Sequence, residues 1–228
     1  MITLFIDTHF PSIVRESPTP ADRDRWHKSV AAKGWTAPEW ASKFGGTGWS
    51  TTESYLWYSL TTDAGCPQPD SCAIQIVGPL LHLYGNDPSH IDHVDNILNR
   101  SVIWGSALFP TGSEISASKS GTGFKLDGSL RCLIVDGYAD QLLVLATTPE
   151  GYSLFIVNPT LSGVQLTPNA FPGPALTLKI QNVQIPDSCL IGHLNMGLEH
   201  LTHLLCEKQS VSTALNLKPA IYNLKKIV

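Results

Sequence analysis

The sequence predicts an α+β fold in which helices, an antiparallel β-barrel and further helices follow one another along the chain. Three observations carry this expectation. Residues 1–102 hold helix-capping signals and apolar residues at helical spacing. From Ser101 onward, short β-prone runs alternate with Gly- and Asp-rich punctuation. After Ile191-Gly192 the helical spacing returns. The expected division is therefore a helical domain over 1–102, a β-barrel domain over 103–190 and the start of a second helical domain over 191–228.

Each element has a local reason. Thr19-Pro20-Ala21-Asp22 supplies an N-cap, a proline at the first helical position and an acid in the first turn. The helix it opens carries Trp26 and Val30 on one face and stops near Gly34. Ser50 followed by Glu53 is a capping-box pattern for a second helix through Tyr55, Leu56 and Leu60. A third is expected from Asp70 through Ile74, Ile76 and Val77 toward Pro79. A fourth starts near Pro88, with Ile91, Val94, Ile97 and Leu98 at helical spacing. The strand-like runs are 102–108, 123–126, 130–135, 142–146, 152–157 and 175–183, separated by Gly121, Asp127-Gly128, Asp136-Gly137 and Glu150-Gly151. Leu198, Leu201, Leu204 and Leu205 mark the returning helix, which Pro219 interrupts.

Composition narrows the function classes. Hydrophobic residues make up 43% of the 228 residues, enough for a core. Charged residues are 15%, against about 25% in an ordinary soluble domain, which suggests surface covered by another chain. A net charge of −4 with scattered Lys and Arg leaves no nucleic-acid footprint. No apolar run approaches the roughly 18 residues of a membrane span, and Met1 to Phe10 lacks the pattern of a signal peptide. Cys66, Cys72, Cys132, Cys189 and Cys206 are widely spaced and form no CxxC pair, which favours reduced thiols and a cytoplasmic setting.

Five segments, in order, resemble the acyl-CoA dehydrogenase family. Trp26 followed by Ala31-Ala32-Lys33-Gly34-Trp35-Thr36-Ala37-Pro38-Glu39-Trp40 resembles its N-terminal "W…LAAKGW-x-AP-x-W". Phe44-Gly45-Gly46-Thr47-Gly48-Trp49-Ser50 then resembles "GG-x-GWS". Gly78-Pro79-Leu80 with Tyr84-Gly85 matches "GP-x-L…G". Asp127-Gly128-Ser129-Leu130-Arg131 with Ala139-Asp140 is similar to "NG-x-K-x-W-I-[ST]-N…AD". Val183-Gln184-Ile185-Pro186 with Leu190-Ile191-Gly192 resembles "V-x-VP…LIG". The resemblance covers nearly the whole chain and implies the family's fold, with most of the closing helical domain missing. It also implies FAD as cofactor, an acyl-CoA or other CoA ester as substrate, and α,β-dehydrogenation as the reaction. In that reaction a glutamate takes the α proton and the flavin accepts the β hydride.

The flavin-facing positions depart from the family pattern. The family's "W…[ST]EP-x-x-GSD" turn is here Trp104-Gly105-Ser106-Ala107-Leu108-Phe109-Pro110-Thr111-Gly112-Ser113-Glu114: Phe109 stands at the hydroxyl position and the turn is shorter. The family's "W-I-[ST]" is Cys132-Leu133-Ile134. The resemblance thus assigns Leu108, Phe109, Thr111, Leu133 and Ile134 to the cofactor, and Gly112 and Ser113 to the substrate. Buried flavin heteroatoms need hydrogen-bond partners, each unpaired one costing roughly 1–3 kcal/mol. Backbone N–H groups of Leu133 and Ile134, or the hydroxyls of Thr111 and Ser113, are the remaining donors.

Leu204-Leu205-Cys206-Glu207-Lys208 resembles the "L-x-x-E-R" context of the catalytic glutamate in one branch of the family, which puts Glu207 at the general-base position. A carboxylate in an apolar cleft has the raised pKa a base needs; equally, a Glu beside a Lys is the ordinary composition of a solvated helix face. His200, His203 and Cys206 read as a surface stripe in place of a metal site. His90 and His93, next to Asp92 and Asp95, read as a wet helix face, and the tryptophans from Trp26 to Trp57 as core and interface anchors. Leu198, Leu201, Leu204, Ile221, Leu224 and Ile227 would make a large apolar patch, so a homo-oligomer, or a hetero-oligomer with a full-length relative, is expected. Two functions follow: a subunit of a flavoprotein acting on acyl-CoA and not competent alone, or a non-catalytic interaction or CoA-ester-binding protein on the same fold.

Overall fold

The computed structural model describes residues 1–108, 113–134, 137–168 and 175–206. The chain divides into two compact units, one built on residues 1–71 and 98–100, the other on 72–97 and 101–204.

In the first unit, α1 (Ile2–His9), α2 (Ser12–Arg15), α3 (Pro20–Ala32) and α4 (Thr51–Asp63) surround an aromatic core. Both expected capping boxes are present. Asp22 N–H donates to Thr19 Oγ1 while Thr19 N–H donates to Asp22 Oδ2, and Ser50 and Glu53 do the same at the start of α4. Four of the donors orphaned at the two helix starts are thereby satisfied. α4 buries Trp57 and Tyr58, whereas Tyr55 and Leu56 face outward. The helical period therefore runs one step off the expected face. The tryptophans are core: Trp26, Trp35, Trp40 and Trp57 are each less than a tenth exposed.

In the second unit, α5 covers 71–84 and continues through Pro79, where the sequence predicts a stop. A π-helical turn over Ala73–Val77 explains the continuation. Gly78 N–H donates to Ala73 O, five residues back, so the hydrogen-bond ladder is already offset where Pro79 has no N–H to give. α6 (Ser89–Leu98) and α7 (197–206) complete the helices among the described residues.

The sheet comprises β1 (Trp104–Ala107), β2 (Ile115–Ser120), β3 (Gly123–Leu133), β4 (Gln141–Thr148), β5 (Gly151–Val157), β6 (Val164–Pro168), β7 (Ala175–Pro186) and β8 (Leu190–Ile191). Its order is β6-β7-β3-β1-β4-β5-β8, with β2 also pairing β3 and β4. β1 and β2 thus occupy one position in succession. Ser106 faces Leu133 and Leu143, and Ser116 faces Asp127 and Thr147. β3 and β4 run in opposite directions, so a strand placed between them is antiparallel to one and parallel to the other. That is why β1·β4 and β2·β4 are parallel while the other pairings between these described strands are antiparallel. The enclosed core includes Leu126, Leu130, Leu142, Val144, Phe155, Leu178 and Ile180, each side chain worth roughly 1.5–3 kcal/mol on burial.

Asp127-Gly128 is not a break between strands. β3 runs through it, and the register against β7 shifts between Leu126 and Gly128 as a bulge. Gly128 has φ +131°, and a Cβ there would lie 2.3 Å from Glu114 O and 3.0 Å from Ile115 Cα. Both obstacles are backbone and cannot rotate away. Gly128→Ala is expected to cost about 2–4 kcal/mol, the sum of backbone strain and overlap, measured as a lower urea midpoint with unchanged slope. A midpoint at the wild-type value would mean that the bulge relaxes freely.

Candidate functional site

The ends of β1 and β3 lie side by side, joined at Ser106 and Leu133. Alternation along β3 sends Leu130, Cys132 and Ile134 into the core, each at 1% exposure or less, and turns Leu133 out to 45% exposure. Leu108, just past β1, is buried. A Cβ on Gly105 would stand 2.8 Å from Leu142 Cδ2 and 2.9 Å from Ile134 Cγ1, so this part of β1 is packed flush against its neighbours. The Cys132 thiol is pushed up to about 12, first by burial and with a backbone contact from Ser106 opposing. It is therefore an inert core thiol at neutral pH. Ser113, ahead of β2, is exposed. Phe109, Thr111, Gly112 and Glu207 lie outside the described residues.

Asp140 anchors this arrangement. Ile103 N–H donates to Asp140 Oδ2 at 2.8 Å, and Asp140 N–H donates to Ile103 O at 2.8 Å. Ala139 packs on the barrel core beside it. The Ala139-Asp140 pair therefore clamps the entrance of β1 immediately before β4, which gives the parallel β1·β4 register its starting point.

The fit to a flavin is poor among the described residues. Cys132, at the family's aromatic position, and Ile134, at its hydroxyl position, both turn their side chains into the core, and Leu133 presents an apolar side chain on the open side. Leu108 is likewise committed to packing. What remains toward a polar ring is backbone and the exposed Ser113 hydroxyl.

Other polar groups sit differently from the sequence expectation. His90 is only 3% exposed and its Nε2 donates to Ser188 O at 2.9 Å. It is not on a wet face. His93 is half-buried edge-on against Trp104, with ring centroids 5.4 Å apart, and burial holds its pKa below the usual value. A cavity of about 260 Å³ opens beside it, bounded by Gln141, Asn158, Gln184 and Cys189, with none of the strand-end residues among its walls. His200 is buried, not part of a surface stripe, and lies against Tyr84. Leu201 and Leu204 are also buried, while Leu198 and Leu205 remain exposed. These inward histidines carry no sequence signal beyond their spacing, because helical period alone does not say which face a neighbour covers.

The helices, the sheet with its divided central position and the strand-end motifs define an acyl-CoA dehydrogenase fold. The comparisons agree on that fold and on a resemblance to acyl-CoA dehydrogenases. No protein-family model matches it. Over 190 residues it is 25% identical to acyl-CoA dehydrogenase FadE26 of Mycobacterium tuberculosis, covering 75% of this chain and 47% of that protein. The Tcur3481-Tcur3483 steroid ACAD superposes with a TM-score of 0.79 at 22% identity, over 94% of this chain and 61% of that one. The ChsE4-ChsE5 complex from Mycobacterium tuberculosis gives 0.75 at 22% identity, over 90% and 57%. The chain thus spans about half the length of the curated relative it matches. Among the described residues no helix is long and apolar enough to cross a membrane.

Proposed function

We propose that this chain is one subunit of an acyl-CoA dehydrogenase assembly acting on a CoA ester, with a full-length relative completing the flavin site. The observation that carries the reading is the pairing of an intact barrel scaffold, clamped by Asp140, with apolar residues at Leu108, Leu133 and Ile134, the strand-end positions that the resemblance assigns to the flavin. The domains are 1–102, 103–190 and 191–228, and Glu207 is the general base. Two of the solved structures that superpose on it carry paired names, Tcur3481-Tcur3483 and ChsE4-ChsE5, and the second is described as a complex. A partnership between two related chains fits that precedent. Among the described residues no two cysteines are joined in a disulfide, which suits a reducing, cytoplasmic setting.

The same apolar strand ends favour a second reading, a non-catalytic protein that keeps the fold to bind a partner or a CoA ester. The visible spectrum of the purified chain separates a self-sufficient flavoprotein from both. With added FAD, then desalted, the chain alone is expected to retain well under one flavin per chain. Stoichiometric yellow protein without a partner would overturn the assembly reading. Flavin retained only when a full-length relative is co-expressed would favour the enzyme subunit over the non-catalytic protein.

A further inference from the structure

Three histidines and a tyrosine meet where the chain leaves the sheet for α7. Tyr84, the last residue of α5, stacks on His200 with ring centroids 3.8 Å apart and planes 15° from parallel. Its hydroxyl lies 2.6 Å from His203 Nδ1. His200 is 6% exposed, and its Nε2 accepts the backbone N–H of His193 at 3.4 Å. Only an unprotonated ring nitrogen can receive an N–H, so this contact requires a neutral His200 with its proton on Nδ1. The space around Nε2 is closed as well: a Cβ on Gly192 would stand 2.5 Å from it. A proton arriving there would set two N–H groups against each other with no room to separate.

We propose that this joint is a proton-operated latch, in which protonation of His200 releases the first turns of α7 from Tyr84. The titratable groups facing His200 are Tyr84 from α5, His193 from the turn after β8, and Glu199 and His203 from α7 itself. Among the described residues His193 and His203 oppose a positive charge on His200, and Glu199 favours it. Burial is the largest influence and, with the two histidines, holds the His200 pKa below its ordinary 6.5. The folded joint therefore prefers the neutral ring. Its contribution to stability is complete above about pH 6.5 and is lost as the pH falls through the lower value of the folded state. The release needs no cofactor or partner and stands whether or not the chain holds flavin.

Hydrogen exchange of the full chain, followed by mass spectrometry over residues 193–204 and corrected for intrinsic rates, tests the latch from about pH 7.5 to about pH 5. Protection there is expected to fall about tenfold or more on acidification, while the β3–β7 pairing keeps its protection. The midpoint should coincide with the His200 imidazole titration followed by NMR in the same sample. His200→Gln, whose amide oxygen can accept the His193 N–H but cannot titrate, is expected to remove most of the pH dependence. Flat protection, a midpoint that follows His193 or His203 instead, or an unchanged pH dependence in His200→Gln would overturn the proposal. Should that variant fail to fold, the two wild-type titrations decide by themselves.

Discussion

On the enzyme-subunit reading, Glu207→Gln is expected to slow acyl-CoA oxidation by a reconstituted assembly about 10²–10⁴-fold while leaving the subunits associated. The amide keeps the volume and the hydrogen-bonding shape of the carboxylate but cannot accept the α proton. The loss should fall on kcat more than on KM, because the group is needed as the proton moves and not when the substrate docks. Glu207→Asp should recover part of the rate, since it restores a base on a shorter arm. Equal turnover by wild type and Glu207→Gln would place the base on the partner chain and remove Glu207 from the chemistry.

Trp26→Ala is expected to cost about 3–5 kcal/mol, a large share of the roughly 5–15 kcal/mol that holds a domain folded. Trp26 is 2% exposed and lies at the centre of the first unit. It stacks on Trp57 with centroids 6.1 Å apart and planes 11° from parallel, and it meets Phe5 and Phe10 each at 5.7 Å. Its Nε1–H donates to Pro67 O at 3.0 Å, tying α3 to the chain after α4. Alanine empties that space and leaves the carbonyl without its donor. Trp26→Phe keeps most of the ring and loses the donor, so about 1–2 kcal/mol is expected. Urea unfolding monitored by the remaining tryptophans gives both values; a cost below about 1 kcal/mol for the alanine variant would mean that the cluster closes over the gap.

Where the chain states its structure locally, the sequence could be read. Thr19 with Asp22 and Ser50 with Glu53 mark α3 and α4, and both boxes form. α1 was not legible because Met1 gives it no side-chain cap. The helix through Pro79 needed a π-helical turn that no residue announces. β2 was missed because Ile115-Ser116-Ala117-Ser118-Lys119-Ser120 has only two core side chains on its inward face. Asp127-Gly128 has turn chemistry, yet pairing on both sides of β3 turns it into a bulge. At the candidate site, the apolar replacements could be read directly from the motif. That Leu133 points outward while Ile134 points inward could not, because it depends on the strand register against β1 and β7.

The shared position of β1 and β2 has an evolutionary consequence. Between the positions that pair with Ser106 and Ser116, β3 covers Leu133 to Asp127 and β4 covers Leu143 to Thr147. Ser106 and Ser116 are further apart in sequence than either of those pairs, and each short strand is registered by its own neighbours. Residues can therefore be gained or lost between the two strands without shifting a ladder on either side. Most sheets allow such editing only at their rims, where a changed loop meets solvent. Here the join between two strands falls at a central position of the sheet, so its length can change while the ladders of β3 and β4 are inherited unchanged.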